Sequence, residues 1–426
     1  MSRLFAVFAL LLVVTLTFSA CAPASPEPGE PEEEETREIT VFYLDDPPFW
    51  KEQAERFTEA TGIEVNWVGA PFGQLRDKEL TAFATGDASY DVVHVRDDWV
   101  AEFGSRGFLL PLGDRVTSEM KEMSPDRAWE NLMWDGTQYA VPRYFWMWQF
   151  YYNEEIFSEA GIEEPPQTWQ EVAEMAGTLT ADADGDGTVD QYGWCSAWGE
   201  NLVDFPWFVR LLANGGELFD AEGEPAFNTE AGRQALQWMV DIAATDNHCP
   251  AAFELQHSGS LAELFAQGEV AMVAGTTQTY RLAEDPEASN VVGDVQAALM
   301  PAGSESTATL SETGSLAIPT ASENADLAWE YIKFVTSVEE QKRMALELSS
   351  IPAVTEALMD PEVQAKYPHF QYVQEQMEHP FGMVKHPQAG EVRSALTRHI
   401  LAALEGTESV EEALELAEEE IRAIGG

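Results

Sequence analysis

Residues 39–95 switch repeatedly between two hydrophobic periods, and that alternation limits the possible fold more than any other feature. The run 39–43 has the β-branched and aromatic make-up of a strand, while 50–61 puts Ala54, Phe57 and Ala60 on one face of a helix. Gly62 ends the helix, and 63–68 alternates as a second strand. A helix over 75–85 and a strand over 91–95 follow. Strand, helix, strand, helix, strand at this spacing is the pattern of an α/β domain with a mostly parallel sheet, since parallel neighbours need a crossover between them.

The pattern is then interrupted. Residues 153–268 read as helix-rich, broken at Pro165-Pro166, over 182–193 and at Gly215-Gly216, and strand signals return over 270–274 and 316–318. The simplest organisation is a first domain that is left and later re-entered, with a second one inserted. Beyond Asp326 the text is almost wholly helical, over 328–336, 339–348, 391–404 and 410–424.

Ahead of this body, residues 1–20 read as a secretory signal peptide: a basic head, an apolar run over 4–14 and small residues at a cut site. Ser19 and Ala20 before Cys21 resemble the bacterial lipobox, with Phe18 where that motif usually has Leu. The resemblance implies a lipid on Cys21; the alternative is an ordinary cleavage site. Residues 21–37 read as a flexible tether, because Pro, Ala, Ser, Gly and Glu cannot bury a core. Lipid and tether place the folded body at a membrane surface, facing the periplasm or the cell exterior. Cys195 and Cys249 are then an even pair in an oxidising compartment, which favours a disulfide over two buried thiols.

Charge narrows the partners. With 23 Lys+Arg against 75 Asp+Glu the formal net charge is −52, a surface that repels nucleic acid and anionic membrane faces. The 13 Trp exceed what packing tends to need, which marks some rings as candidates for a binding surface. None of the GxxxxGK[ST], HExxH or GxSxG patterns is present, and a pair of glycosidase carboxylates cannot be singled out among so many acids.

Several segments then line up. They are Tyr90-Asp91-Val92-Val93 with Trp99, Phe103 and Gly107, Tyr139-Ala140-Val141-Pro142, Phe150-Tyr151-Tyr152-Asn153, Phe265-Ala266-Gln267-Gly268 and Ala328-Trp329-Glu330-Tyr331. In that order they resemble the extracellular solute-binding proteins that serve carbohydrate ABC importers, the group to which maltose-binding protein belongs. The resemblance implies a periplasmic-binding-protein-like fold, two α/β lobes with three crossings and a ligand cleft between them. Lobe 1 would be 38–147 plus 273–326, and lobe 2 would be 148–272 plus 327–426 with the C-terminal helices. It also implies a monomer that closes on a small molecule and delivers it to importer permease subunits, with no catalysis and no required cofactor.

Ligands of open α/β sheets sit off the carboxyl ends of strands, which selects Asp45, Asp46, Gln74, Asp98 and Trp99. Carboxylates suit bidentate bonds to sugar hydroxyls and rings suit the apolar face of a pyranose; turn and N-cap chemistry is the alternative for the acids. A period of two puts Tyr144, Trp146 and Trp148 on one face of a segment along the cleft floor, where sandwiched core is the alternative. Trp198 and Trp207 from an aromatic stretch, Tyr280, Gly314 and Arg393 complete the expected ligand-binding set. Asp182, Asp184, Asp186, Thr188 and Asp190 have the spacing of a calcium loop, but Gly193 stands where a bidentate Glu is due. That loop reads either as a structural calcium site completed by another residue or as Asx turns without metal. The sequence therefore points to capture of a sugar, with a polyamine or another small polar solute as the alternative.

Overall fold

The computed structural model describes residues 37–425 apart from Asp46 and Ala183. The expected signal peptide, the tether up to Thr36, Cys21 and Asp46 lie outside the described residues. The first domain begins as the alternation predicts: β1 (Glu38–Leu44), α1 (Phe49–Thr61), β2 (Glu64–Ala70), α2 (Phe72–Thr85), β3 (Val92–Arg96) and α3 (Asp97–Ser105), with β1 parallel to both β2 and β3. Gly62 closes α1 in the left-handed region at φ 69°, its N–H bonded to the Thr58 carbonyl, a conformation that favours glycine. Alternation along β1 sends Ile39, Val41 and Tyr43 to one core with Phe57 and Trp50 of α1, and Phe42 to another with Phe83, Val93 and Phe103. The sheet is thus covered by helices on both faces.

One extended segment then joins the lobes. β4 (Ala140–Met147) belongs to the first sheet and β5 (Gln149–Asn153) to a second, so the chain changes sheets at Trp148. The second sheet also holds β6 (Tyr192–Cys195), β7 (Val270–Gly275) and β8 (Val295–Ala298), in the order β8-β5-β7-β6. β9 (Thr309–Ala317) returns to the first sheet, antiparallel to both β4 and β3.

The lobe boundaries therefore differ from those expected at 273 and 327. The run at 270–274 is buried throughout and sits inside the second sheet, so the return falls between β8 and β9. An all-apolar strand announces burial without saying which sheet owns it. Helices Ala325–Val335 and Val338–Leu348 pack on the first lobe through Trp329, Ile332 and Met344. Only the last long helices join the second lobe, and helix α4 (Asp204–Ala213) packs there with them. Those last helices are α5 (Ala389–Leu404) and α6 (Val410–Gly425).

Cys195, at the end of β6, is joined to Cys249 in a disulfide with a Cα–Cα distance of 5.1 Å. Among the described residues no helix is long and apolar enough to cross a membrane.

Candidate ligand-binding cleft

Three strand ends of the first sheet open onto one side. Asp45 follows β1, Pro71 and Phe72 follow β2, and Arg96 ends β3. Gly69 is required here, because a Cβ on it would stand 2.6 Å from that of Asp45. Cross-strand pairing extends the surface: Gly314 of β9 lies between Arg96 and Tyr144, and Glu312 pairs with Trp146. Paired positions share a face, so these residues form one row on the cleft side.

The second lobe faces that row with Asn201, Leu202, Phe205, His257, Ser258, Met383 and Arg393, and the two sets enclose a cavity of about 760 Å³. That is within the range of small-molecule sites. Its walls carry Phe72, Tyr144 and Trp146 from one lobe and Phe205 from the other. Phe72 is 42% exposed, although a ring of its size is usually covered.

Electrostatics constrain what could enter. Arg96 is held by Asp98 through two bonds of 2.8 and 2.9 Å and approaches Glu312 at 3.3 Å. Arg393 is held by Asp204 through bonds of 2.7 and 3.0 Å. Both cations of the cavity are thereby compensated. Burial raises the Glu312 carboxyl against the opposing pull of Arg96, and it raises Asp97 well above the usual carboxylate range. Burial, aided by Arg143 and Arg96, lowers His94 to about 3, so this ring under Tyr144 is neutral. Among the described residues the cleft thus presents acceptors, amide and hydroxyl groups and rings, and both of its guanidinium groups are already paired, which leaves neither for a phosphate or carboxylate.

The expected residues divide clearly. Asp45, Tyr144, Trp146 and Arg393 line the cavity. Asp98 and Trp99 line a polar side cavity of about 300 Å³ that shares Arg96 and Arg393 with it. Gly314 does lie on the cleft face, but the close approach it permits is to the Tyr144 ring. Gln74 is a correction: it lies on the outer side of α2 with Asp77 and Lys78, because two residues of helix turn it away from the side occupied by Phe72. Trp148 is 3% exposed at the change of sheets, edge-on to Phe205 and outside the cavity lining. Trp198 and Trp207 are fully buried core, the first stacked on His248 at 3.8 Å and the second bonded to the Gly232 carbonyl. Tyr280 lies against His369, the ring centroids 4.0 Å apart and the planes tilted by 31°, since the helix carrying it follows a strand of the second sheet.

Phe72, Phe205 and Glu312 escaped the reading of the sequence. Glu312 left a signal, an acid inside a strand otherwise made of small, hydroxyl and apolar residues. Phe72 and Phe205 left none, because a ring at a helix start reads equally well as core.

In the loop at 182–190, one carboxylate oxygen from each of Asp182, Asp184 and Asp190 comes within 4.8 Å of the others. The Asp182 carboxylate accepts from Gly185, Asp186 and Gly187 N–H, and Asp186 accepts from Thr188 N–H. Both the three-acid cluster and the Asx turns are therefore present.

Two lobes, crossings between them and a ring-lined cavity at the junction define a protein that captures small molecules by enclosing them. The model of the bacterial extracellular solute-binding proteins matches residues 43–342, and this chain belongs to that family. Its members are substrate-binding components of ABC importers and not enzymes, and they act after export. A mannitol-binding protein of Pseudomonas aeruginosa is 28% identical over 284 residues, 65% of this chain and 62% of that protein. A probable amino-acid ABC transporter periplasmic-binding protein of Sinorhizobium fredii is 26% identical over 328 residues, 74% of this chain and 71% of that one. A Thermotoga lettingae solute-binding protein bound with α-D-tagatose superimposes with a TM-score of 0.77 at 24% identity, covering 92% of this chain and 100% of that one. Maltose-bound MalE3 of T. maritima gives 0.76 at 23%, covering 91% and 99%.

Proposed function

We propose that the cleft binds a neutral sugar or short oligosaccharide, which the closed protein hands to the permease of an ABC importer. The observation that carries this reading is the wall of rings, Phe72, Tyr144 and Trp146 opposite Phe205, combined with the hydrogen-bonding groups Asp45, Asn201 and Glu312. Rings cover the apolar faces of a pyranose while carboxylates and amides take its hydroxyls. Relatives named for mannitol and maltotriose support it. The molecule works as a monomer, delivered by its signal peptide and anchored through lipid on Cys21; the Ser19-Ala20-Cys21 sequence supports that part. A calcium ion held by Asp182, Asp184 and Asp190 has a structural role in this reading, supported by the spacing of those acids.

An amine ligand is the second reading, favoured by Asp45 and Glu312 in a cavity whose own cations are already paired. A thermal-shift screen of the mature protein against sugars, polyols and polyamines separates the two, because a ligand of the native state raises the melting temperature. Shifts with sugars or polyols are expected; shifts with amines alone overturn the sugar reading.

A further inference from the structure

The side cavity of about 300 Å³ is a gap between the lobes. Lobe 1 lines it with Arg76 of α2, Glu102 of α3 and Arg106 just beyond, and lobe 2 lines it with Gln388, Gly390 and Glu391 at the start of α5. Arg96 and Arg393 complete its cations, so four of the chain's 23 bases meet in one space although acids number 75. Such a concentration marks the gap as a place where positive charge has a use.

Arg96 and Arg393 are each engaged by an aspartate of their own lobe, Asp98 and Asp204. Arg76 and Arg106 share one carboxylate. Arg76 donates to Glu102 through Nε at 3.1 Å and Nη2 at 2.5 Å, and Nη2 of Arg106 stands 3.2 Å from the other oxygen. Asp77, the remaining acid near Arg76, is 3.7 Å away with its side chain 83% exposed. Among the described residues that single approach to Glu102 is the only ion pair of Arg106, whose side chain is 53% exposed. Glu391 is the reverse case: it is exposed in the first turn of α5, and among the described residues it forms no ion pair. A first-turn acid suits the dipole of its own helix. It still leaves an unpaired carboxylate on one wall of a gap whose other wall holds an under-compensated guanidinium.

We propose that Glu391 and Arg106 latch the lobes together, forming an ion pair across the gap as the cleft closes. α3 and α5 already meet there, and closure expels water from between them, which strengthens the attraction. Neither residue lines the ligand cavity, so the latch acts on the balance of open and closed forms whatever the ligand is. A partly exposed pair of this kind shifts that balance about twofold to fivefold.

The test needs no ligand. In the whole mature protein Arg106→Lys keeps the charge and brings an amine, which a water-soluble carbodiimide joins as an amide to a carboxylate it meets, the activating group leaving as a urea. Glu102, one helical turn away in the same lobe, gives a link whether or not the lobes close and serves as the internal standard. Peptide mass spectrometry is expected to find a second link, from position 106 to Glu391. Its yield relative to the standard should fall about twofold to fivefold between low salt and about 1 M, where the screening length is about 3 Å. Screening of the net charge of −52 would instead ease closure and raise the yield, so the sign separates the latch from a general charge effect. The Glu102 link alone, or a Glu391 link whose relative yield stays constant or rises with salt, overturns the proposal.

Discussion

Tyr144 lies against the bare Cα of Gly314, its partner across β4 and β9, so closely that a Cβ at position 314 would fall inside the ring. The neighbour in the way is a rigid ring standing on a strand, so it cannot give without leaving the cleft floor. Gly314→Ala is therefore expected to lower stability by about 1–3 kcal/mol, as overpacking does. It is also expected to weaken ligand binding, because the displaced ring belongs to the cavity. Urea unfolding and calorimetric titration check the two effects; an unchanged affinity would remove Tyr144 from the site.

Two tryptophans expected at the ligand should behave in opposite ways. Trp146 is half-buried and lines the cavity, whereas Trp198 is fully buried on His248. Trp146→Ala should cost about thirtyfold in affinity, the weight of a central aromatic contact, with little loss of stability. Trp198→Ala should cost about 3–5 kcal/mol of stability, as removal of a large buried ring does. Equal effects of the two variants in both assays would contradict this division.

The contrast shows which parts of the molecule the sequence could convey. The parallel βαβ start was readable because a period of two and a period of 3.6 differ within a dozen residues, and the strand-end rule then pointed to Asp45 without further help. Trp146 and Tyr144 were readable because alternation on β4 exposes every second residue. Trp198 and Trp207 were not, since an aromatic-rich stretch looks the same whether its rings face a ligand or one another, and only the packing of α4 decides. Lobe ownership of 270–275 and of the helices after 325 was hidden for a similar reason. It depends on which sheet a strand joins, a long-range pairing that no local pattern records.

Acid should weaken the fold through three histidines. Burial lowers His94, His248 and His369 to about 3, with Arg143 and Arg96 adding to the effect on the first and Arg210 on the second. The folded state thus binds fewer protons than the unfolded chain between the ordinary value of 6.5 and about 3. The stability these groups contribute is complete above that window and is lost as pH falls through it. Urea midpoints at pH 7 and pH 4.5 measure the loss, and His369→Gln should narrow the difference between them. A His369→Gln protein with the same difference as the wild type would count against the histidine account.

The loop carrying Asp182, Asp184 and Asp190 makes a separate prediction. If calcium bridges these carboxylates, calcium added to chelator-treated protein raises the melting temperature by binding the native state. Asp184→Asn should abolish the rise and leave the metal-free melting temperature nearly unchanged. A wild type indifferent to calcium leaves the loop to its Asx turns.

Glu79 of α2 gives the opposite dependence on pH from the histidines. It is fully buried, neither oxygen has a partner, and burial alone raises its carboxyl well above its ordinary value of 4.5. The folded state therefore keeps a proton that the unfolded chain releases. Its contribution to stability is complete below 4.5 and is lost as pH rises towards the raised value. Glu79→Gln has a similar shape and no proton to hold, so it should be more stable than the wild type at pH 7. At pH 4, where both side chains are neutral, the gain should vanish, or reverse slightly because an amide has more donors to satisfy. The difference between the two unfolding midpoints, followed from pH 4 to pH 7, isolates this one group from the histidines, which titrate identically in both proteins. A constant difference across that range would mean that the Glu79 carboxylate has a compensating partner.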